Sequence, residues 1–381
     1  MLSRTERDAL FKFSLSTYQR LKTRNTLNVN FVCSPFSIAC ALATFASGAC
    51  NVTATQIFAA LNLKASTCRI QDQFAVLLTI LSSYAPEVTF HVANRIYGDQ
   101  KFTVHGSYRA LLEESYGATI ESVDFESDHE LIQQKANAWV LEETASKIQS
   151  ILPSGSVDTN TTLIHLSAVC FRDFWQWPFR SLYTKRQLFR LNYHEAVHAN
   201  MMFQCQTFKV GYSDELRASA LEMPYRGQMM SMVIIVPDDV EGLRDLEEDL
   251  TPANLSELLA SMKLVANVHL FLPKFRIEHS VALRETLEDL GVKDLFTPGE
   301  ADLSGAFETG TPSVSDLVHN ALVQVHEEGT EPEAAATNAV FQSAGPIIGI
   351  PMHFVVDRPF MFLIKMNDPD VILFLGSVRR L

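Results

Sequence analysis

Apolar residues recur at helical spacing through about the first 160 positions of the chain. Phe11, Leu15, Tyr18 and Leu21 stand three or four apart, as one buried face of a helix requires, and Tyr108, Leu111, Leu112 and Tyr116 repeat the arrangement. Between them "VTFHVANRIYG" alternates Val88, Phe90 and Val92, the spacing of a half-buried strand. From Leu163 onward the strand period dominates. It runs through "MSMVIIVP" (230–237), "VANVHLFLPKF" (265–275) and the closing pair "HFVVDRPFMFLIKM" and "VILFLGSV", with a helical insert around Ser280 to Leu290. Helices come first and strands later, without a βαβ rhythm, which predicts an α+β protein. No Pro-, Gly- or Ser-rich linker divides the chain and no internal repeat is present, so a single domain over 1–381 is expected.

One long segment fits neither period. Across "EEGTEPEAAATNAVFQSAGPIIGIP" (Glu327 to Pro351), acidic residues lead into alanines, and the thirteen residues from Asn338 to Ile350 carry no charge. A structureless stretch beyond about 12 to 15 residues in a compact protein is usually functional or disordered. Taken at period two, Thr330, Pro332, Ala334 and Ala336 fall on one face and Glu331, Glu333, Ala335 and Thr337 on the other. As a strand, the segment would present one small, uncharged face and keep its charges in water. A strand sliding between two others needs such a face if the core is not to be overpacked. As a helix, Thr330 would cap a first turn leading into Glu333 and three alanines. Local sequence leaves both open.

Composition narrows the classes. With 47% hydrophobic and 20% charged residues, and only 16 Gly and 15 Pro, the 381-residue chain should bury a sizeable core. A net charge of −13 and a pI near 5.3 argue against nucleic acid, whose binding is driven by Lys and Arg displacing counterions. No run of about 18 apolar residues is present to span a membrane. Met1 leads directly into "LSRTERDALFKF", with no apolar signal-peptide core, which fits a cytoplasmic protein or a processed or unconventionally exported one. The sequons at Asn51, Asn160 and Asn254 tilt the expectation toward the extracellular space, although about two would arise by chance. Six cysteines are too sparse for a disulfide scaffold and show no zinc-ribbon spacing; in a secreted form, Cys50 and Cys68 are one possible pair.

Residues 194–198 read "HEAVH", matching the zinc-protease pattern in which two His one helical turn apart bind the metal and Glu is the general base. The flanks alternate as Tyr193, Val197, Ala199, Met201 and Phe203, closer to a strand than to the helix this motif needs, so metalloprotease activity is only a remote alternative. There is no G-x-S-x-G elbow, P-loop or G-x-G-x-x-G after a strand. The expectation is a protein that is not an enzyme and uses no metal or cofactor.

Several ordered motifs resemble one family. "FVCSPFSIACAL" (31–42), "ANRIYG" (93–98), "ESVDF" (121–125), "ANAWVLEETASKI" (136–148), "FRDFWQWPF" (171–179), "LEMPYRG" (221–227), "LPKF" (272–275), "ADLSG" (301–305), "DRPFMFLI" (357–364) and "LFLGSV" (373–378) stand in the order found in serpins. "EEGTEPEAAAT" resembles the hinge of the serpin reactive-centre loop, and the termini are most similar to the ovalbumin-like branch. The resemblance implies three β-sheets, about nine helices and an exposed loop over about 327–356. It also implies a suicide mechanism, in which a serine protease acylated by the loop is carried along as the cut loop inserts into the main sheet.

The same resemblance assigns roles. The hinge would comprise Glu327, Glu328, Gly329, Thr330, Glu331, Pro332, Ala334, Ala335 and Ala336. Counting fourteen residues on from Gly329 places the reactive bond between Ser343 and Ala344, with Phe341 to Gly345 as the window. Ser34, Ser37, Ser167 and His319 match a cluster beneath the opening sheet, where Ser167 replaces the family's Asn and is expected to leave one partner unmet or water-bridged. Trp175 matches the tryptophan at the top of that sheet; its plain alternative is a core aromatic. Pro332 departs from the small residue usual there and would forfeit one ladder hydrogen bond in a central strand. The implied partner is a serine protease, held covalently by a monomeric inhibitor. Since no Lys or Arg lies between Gly329 and Asp357, an elastase-like or chymotrypsin-like target is expected over a trypsin-like one. Glycosaminoglycan control is not expected, the segment Thr55 to Ser83 offering only Lys64 and Arg69.

Overall fold

A computed structural model describes residues 2–24, 29–63, 70–84, 89–330 and 350–381. The helical first part comprises α1 (Arg4–Arg24), α2 (Pro35–Ala46), α3 (Asn51–Ala60), α4 (Ile70–Ser83), α5 (Gly106–Tyr116) and α6 (Phe125–Glu143). It is broken by β1 (Phe31–Cys33), β2 (Thr89–Asp99) and β3 (Thr119–Val123). Strands then dominate: β4 (Leu163–Phe174), β5 (Lys185–Arg190), β6 (Ala196–Ser213), β7 (Ala218–Pro224) and β8 (Met230–Pro237). After α7 (Leu243–Asp249) and α8 (Pro252–Ser261) come β9 (Lys263–Pro273), β10 (Phe275–Ala282), α9 (Arg284–Asp289), β11 (Asp316–Val325) and β12 (Gly329–Thr330). The chain closes with β13 (Met352–Val355), β14 (Phe360–Asn367) and β15 (Asp370–Val378).

The expected α+β order holds, with local corrections. The helical insert begins at Arg284, because Ser280 to Ala282 stay in β10, paired with Val318 to Asn320 of β11. The helices α7 and α8 interrupt the strand-rich half unannounced by the apolar pattern. Among the described residues the strands form two hydrogen-bonded sheets, not three separate ones. The larger has nine strands, and 18-residue β6 joins its halves, pairing with β5 over Ala196–Met201, with β9 along Met201–Val210 and with β7 over Lys209–Ser213.

The six-stranded sheet runs β10-β11-β12-β4-β2-β3, with β11 also paired directly to β4. Between the sheets lies α2, "PFSIACALATFA", apolar nearly all round and buried at all twelve positions; its neighbours include β15 of one sheet and β4 of the other. A helix without a polar face has no stable place but the core. Pro35 at its first turn and Ser34 as N-cap fix where it starts. This places Ser34 and Ser37 directly under the centre of the six-stranded sheet.

Candidate functional site

Two groups of side chains on the six-stranded sheet contain the described residues singled out in the sequence. The first lies at its middle. Ser167 of β4 stands in register with His319 of β11 on one side and Asn94 of β2 on the other, and opposed residues share a face. The Ser34 amide donates to His319 Nε2 at 3.0 Å, Ser34 Oγ accepts from the Ser37 amide at 3.2 Å, and the Ser37 and Ser167 hydroxyls are 2.6 Å apart. All four are fully buried. Burial, with His279 and His165 nearby, pushes His319 down to about 3, so its imidazole is neutral and Nε2 is free to accept. Ser167 therefore has a partner. The unmet groups lie beside it: both amide atoms of buried Asn94 and His319 Nδ1 have no hydrogen-bond partner among the described residues.

The second group is at the end of β4. Trp175 follows Ser167 by eight residues, which along extended chain is about 26 Å, so the structure does not bring it to the serine–histidine cluster. It is nonetheless more than a core aromatic. Its ring stacks on Tyr225 at 4.6 Å and 11°, its Nε1 donates to the His326 carbonyl at 2.9 Å, and its amide donates to the Glu328 carbonyl at 2.8 Å. The Phe179 amide binds the Glu327 carbonyl at 2.8 Å, and the Glu327 carboxylate is held by Thr184 and Lys274.

These contacts seat the chain that leads into Gly329 and Thr330. Gly329 and Thr330 form a two-residue strand, β12, between β11 and β4, with Thr330 opposite both Val325 and Asp173 and Gly329 opposite Phe174. Thr330 is fully buried, its Oγ1 2.6 Å from the Tyr225 hydroxyl. Below it β11 and β4 pair directly, Asp316 to Leu322 against Ile164 to Cys170. The sheet is thus parted at one end and closed for the rest of its length. Glu331, Pro332, Ala334, Ala335, Ala336, Ser343 and Ala344 lie outside the described residues, as do Cys68, Lys64 and Arg69; Cys50 is a thiol.

Asp173 and Tyr225 were not singled out from sequence, although each carried a signal. Asp173 is the one carboxyl within the apolar run "LIHLSAVCFRDF", and Tyr225 sits inside the motif "LEMPYRG". "HEAVH" is corrected by the backbone: His194 lies in a bend and His198 in β6, so the helical turn that would bring both imidazoles to one ion is absent. Among the described residues no group of three His, Cys, Asp or Glu is placed to hold a metal, and no helix is long and apolar enough to cross a membrane.

Comparison with known proteins bears on the whole chain. Residues 8–381 match the profile of a family described as Serpin (serine protease inhibitor). The chain is 44% identical over 374 residues to Iris of Ixodes ricinus, covering 98% of each. It is 37% identical over 372 residues to the leukocyte elastase inhibitor of Bos taurus, covering 96% of this chain and 97% of that one. In three dimensions it is similar to Serpin48 of the insect Tenebrio molitor, with a TM-score of 0.89 and 32% identity over 100% of this chain and 99% of the other.

Proposed function

Because the chain belongs to the serpin family of serine protease inhibitors, we propose that it is a suicide inhibitor whose loop baits an elastase-like or chymotrypsin-like protease. The observation that carries this reading is β12, a strand of two residues seated at the parted end of an otherwise closed sheet. Extending β12 would exchange the direct parallel pairing of β11 with β4 for two antiparallel ladders, each slightly more stable per residue. The buried side chain of Thr330 also sets the parity: with a period of two, the inward positions that follow are Pro332, Ala334 and Ala336, all small or compact and uncharged.

The chemistry follows from the bait. The protease serine attacks the Ser343 carbonyl, the Ser343–Ala344 bond breaks, the new amine leaves with a proton, and the chain is held as an ester. Inhibition requires insertion to outrun hydrolysis of that ester by water. The outcome is therefore kinetic. The absence of Lys and Arg from the loop supports a target pocket without a carboxylate, and the likeness to a leukocyte elastase inhibitor points the same way.

The test is incubation with a panel of serine proteases, read by denaturing gel and by mass spectrometry of the released fragment. A covalent adduct and a cut inside Phe341 to Gly345 are expected. Trypsin or thrombin trapped by cleavage within the loop would reject the target class. A chain merely nicked, with no adduct and no rise in Tm after cleavage, would identify a non-inhibitory member of the family serving storage, transport or chaperone-like roles.

A further inference from the structure

The strand seated between β11 and β4 stands opposite one buried carboxyl group. Asp173, next to last in β4, stands opposite Thr330, and the backbone of Gly329 lies against its carbonyl so closely that a Cβ there would overlap the oxygen. The Asp173 residue is fully buried. Its Oδ1 accepts the Phe174 amide at 2.7 Å, while Oδ2 has no hydrogen-bond partner among the described residues. The charged and titratable groups around it come from each neighbouring element. Arg226 stands 4.9 Å over the Phe174 ring and Arg172 stands 5.8 Å from it. Tyr225 is bonded to Thr330, and the approach to β12 carries His326, Glu328 and the Glu327–Lys274 pair. Among the described residues no cation bonds to the Asp173 carboxyl oxygens, and Arg226 acts on it through space.

We infer that Asp173 is the positioning residue that gates the hinge: as a neutral acid it stays buried beside Thr330 with β12 seated, and as a carboxylate it unseats β12. The inference rests on the reading of residues 327–330 as a hinge whose seating begins insertion. An ionised carboxylate without water or a counterion is unstable in a buried site, and unpairing the strand that stands beside this one would let water reach it. Burial pushes the Asp173 carboxyl up to about 8, with the Phe174 amide and Arg226 acting against the shift. Lifting the hinge returns the group toward the ordinary carboxylate range, and its proton goes to water. The seated form therefore binds one more proton than the lifted form between that range and pH 8. Seating is favoured at the acid end of the window, weakens as pH rises through it, and levels off above it.

The amides of Trp175 and Phe179 report the event, because they donate to the Glu328 and Glu327 carbonyls. Their hydrogen exchange, corrected for intrinsic rate, should give an opening constant that rises by up to about tenfold per pH unit below pH 8. In Asp173→Asn, which keeps the shape and cannot ionise, that rise should vanish. A carbon-13 titration of the Asp173 carboxyl is the second measurement. An equal pH slope in both proteins, or a carboxyl titrating in the ordinary range, overturns the inference. With any protease that forms an adduct, the ratio of cleaved to trapped protein should follow the same pH dependence in the wild type alone. Failure to trap any protease would remove the inhibitory reading while leaving the exchange test of Asp173 to stand or fall by itself.

Discussion

Gly329 shows how narrowly β12 is fitted. A Cβ at this position would overlap the Asp173 carbonyl oxygen and come within 2.8 Å of Phe174 Cα, both backbone atoms that cannot step aside. Gly329→Ala should therefore unseat β12, exposing Thr330 and stripping exchange protection from the Trp175 and Phe179 amides; unchanged protection would show that the strand tolerates the methyl. A different sensitivity comes from three imidazoles. Burial pushes His165 to about 3, His279 to about 4 and His319 to about 3, so the folded chain keeps them neutral where the unfolded chain takes up protons. Because the unfolded state binds more protons below its pKa of about 6.5, stability should fall as pH drops from there toward 4. Urea midpoints across this range should show the decline, and His165→Phe should lessen it, since that ring already sits edge-on to Phe45 at 5.8 Å. Ser34, Ser37 and His319 were legible from a motif. Asp173 was not, because what makes it unusual is the strand that stands beside it.

The elements divide by how local their cause is. The cap of α2 is wholly local: Ser34 ends the extended chain at φ −108° and ψ 94°, and its side chain accepts from the Ser37 amide. Ser34→Ala should lower stability by about 1 kcal/mol, the usual worth of such a cap, measured by chemical unfolding. A loss several times larger would mean that the Ser34 amide's bond to His319 is disrupted as well. Helix α8 also has a local cause that apolar spacing did not register: Thr251 and Asn254 form a capping box, with Pro252 in the first turn. By contrast β12 has no local cause. Two residues cannot make a strand alone, and the same segment reads equally well as the start of a helix; the parted ends of β11 and β4 supply its hydrogen-bonding partners.

Across the molecule the question is whether one strand can be added to a sheet that is already nearly closed. If insertion traps the protease, Thr330→Arg should turn the inhibitor into a substrate, because the arginine would meet the fully buried pocket formed by Tyr225 and Asp173. Overpacking a fully buried site and desolvating a guanidinium, even one beside Asp173, disfavours seating and lets hydrolysis of the ester overtake the strand. The gel should then show cleaved chain in place of adduct. Adduct in undiminished yield would mean that trapping does not pass through burial of residue 330.

Pattern and motif were enough for the α+β class, the helical first half and the family, because each depends on residues near in sequence or on many ordered matches. They placed Trp175 at the top of the opening sheet, and the strand geometry sets it eight residues beyond Ser167, where its amide donates to the Glu328 carbonyl. They expected Ser167 to leave one partner unmet; packing of α2 beneath the sheet gives Ser167 itself Ser37, and the groups without a partner among the described residues are Asn94 and His319 Nδ1. The joining of the halves of the larger sheet through β6, the seating of Gly329 and Thr330, and the burial of Asp173 were settled by packing alone. Each depends on groups brought together from distant parts of the chain, and neither hydrophobic spacing nor local propensity carries that information.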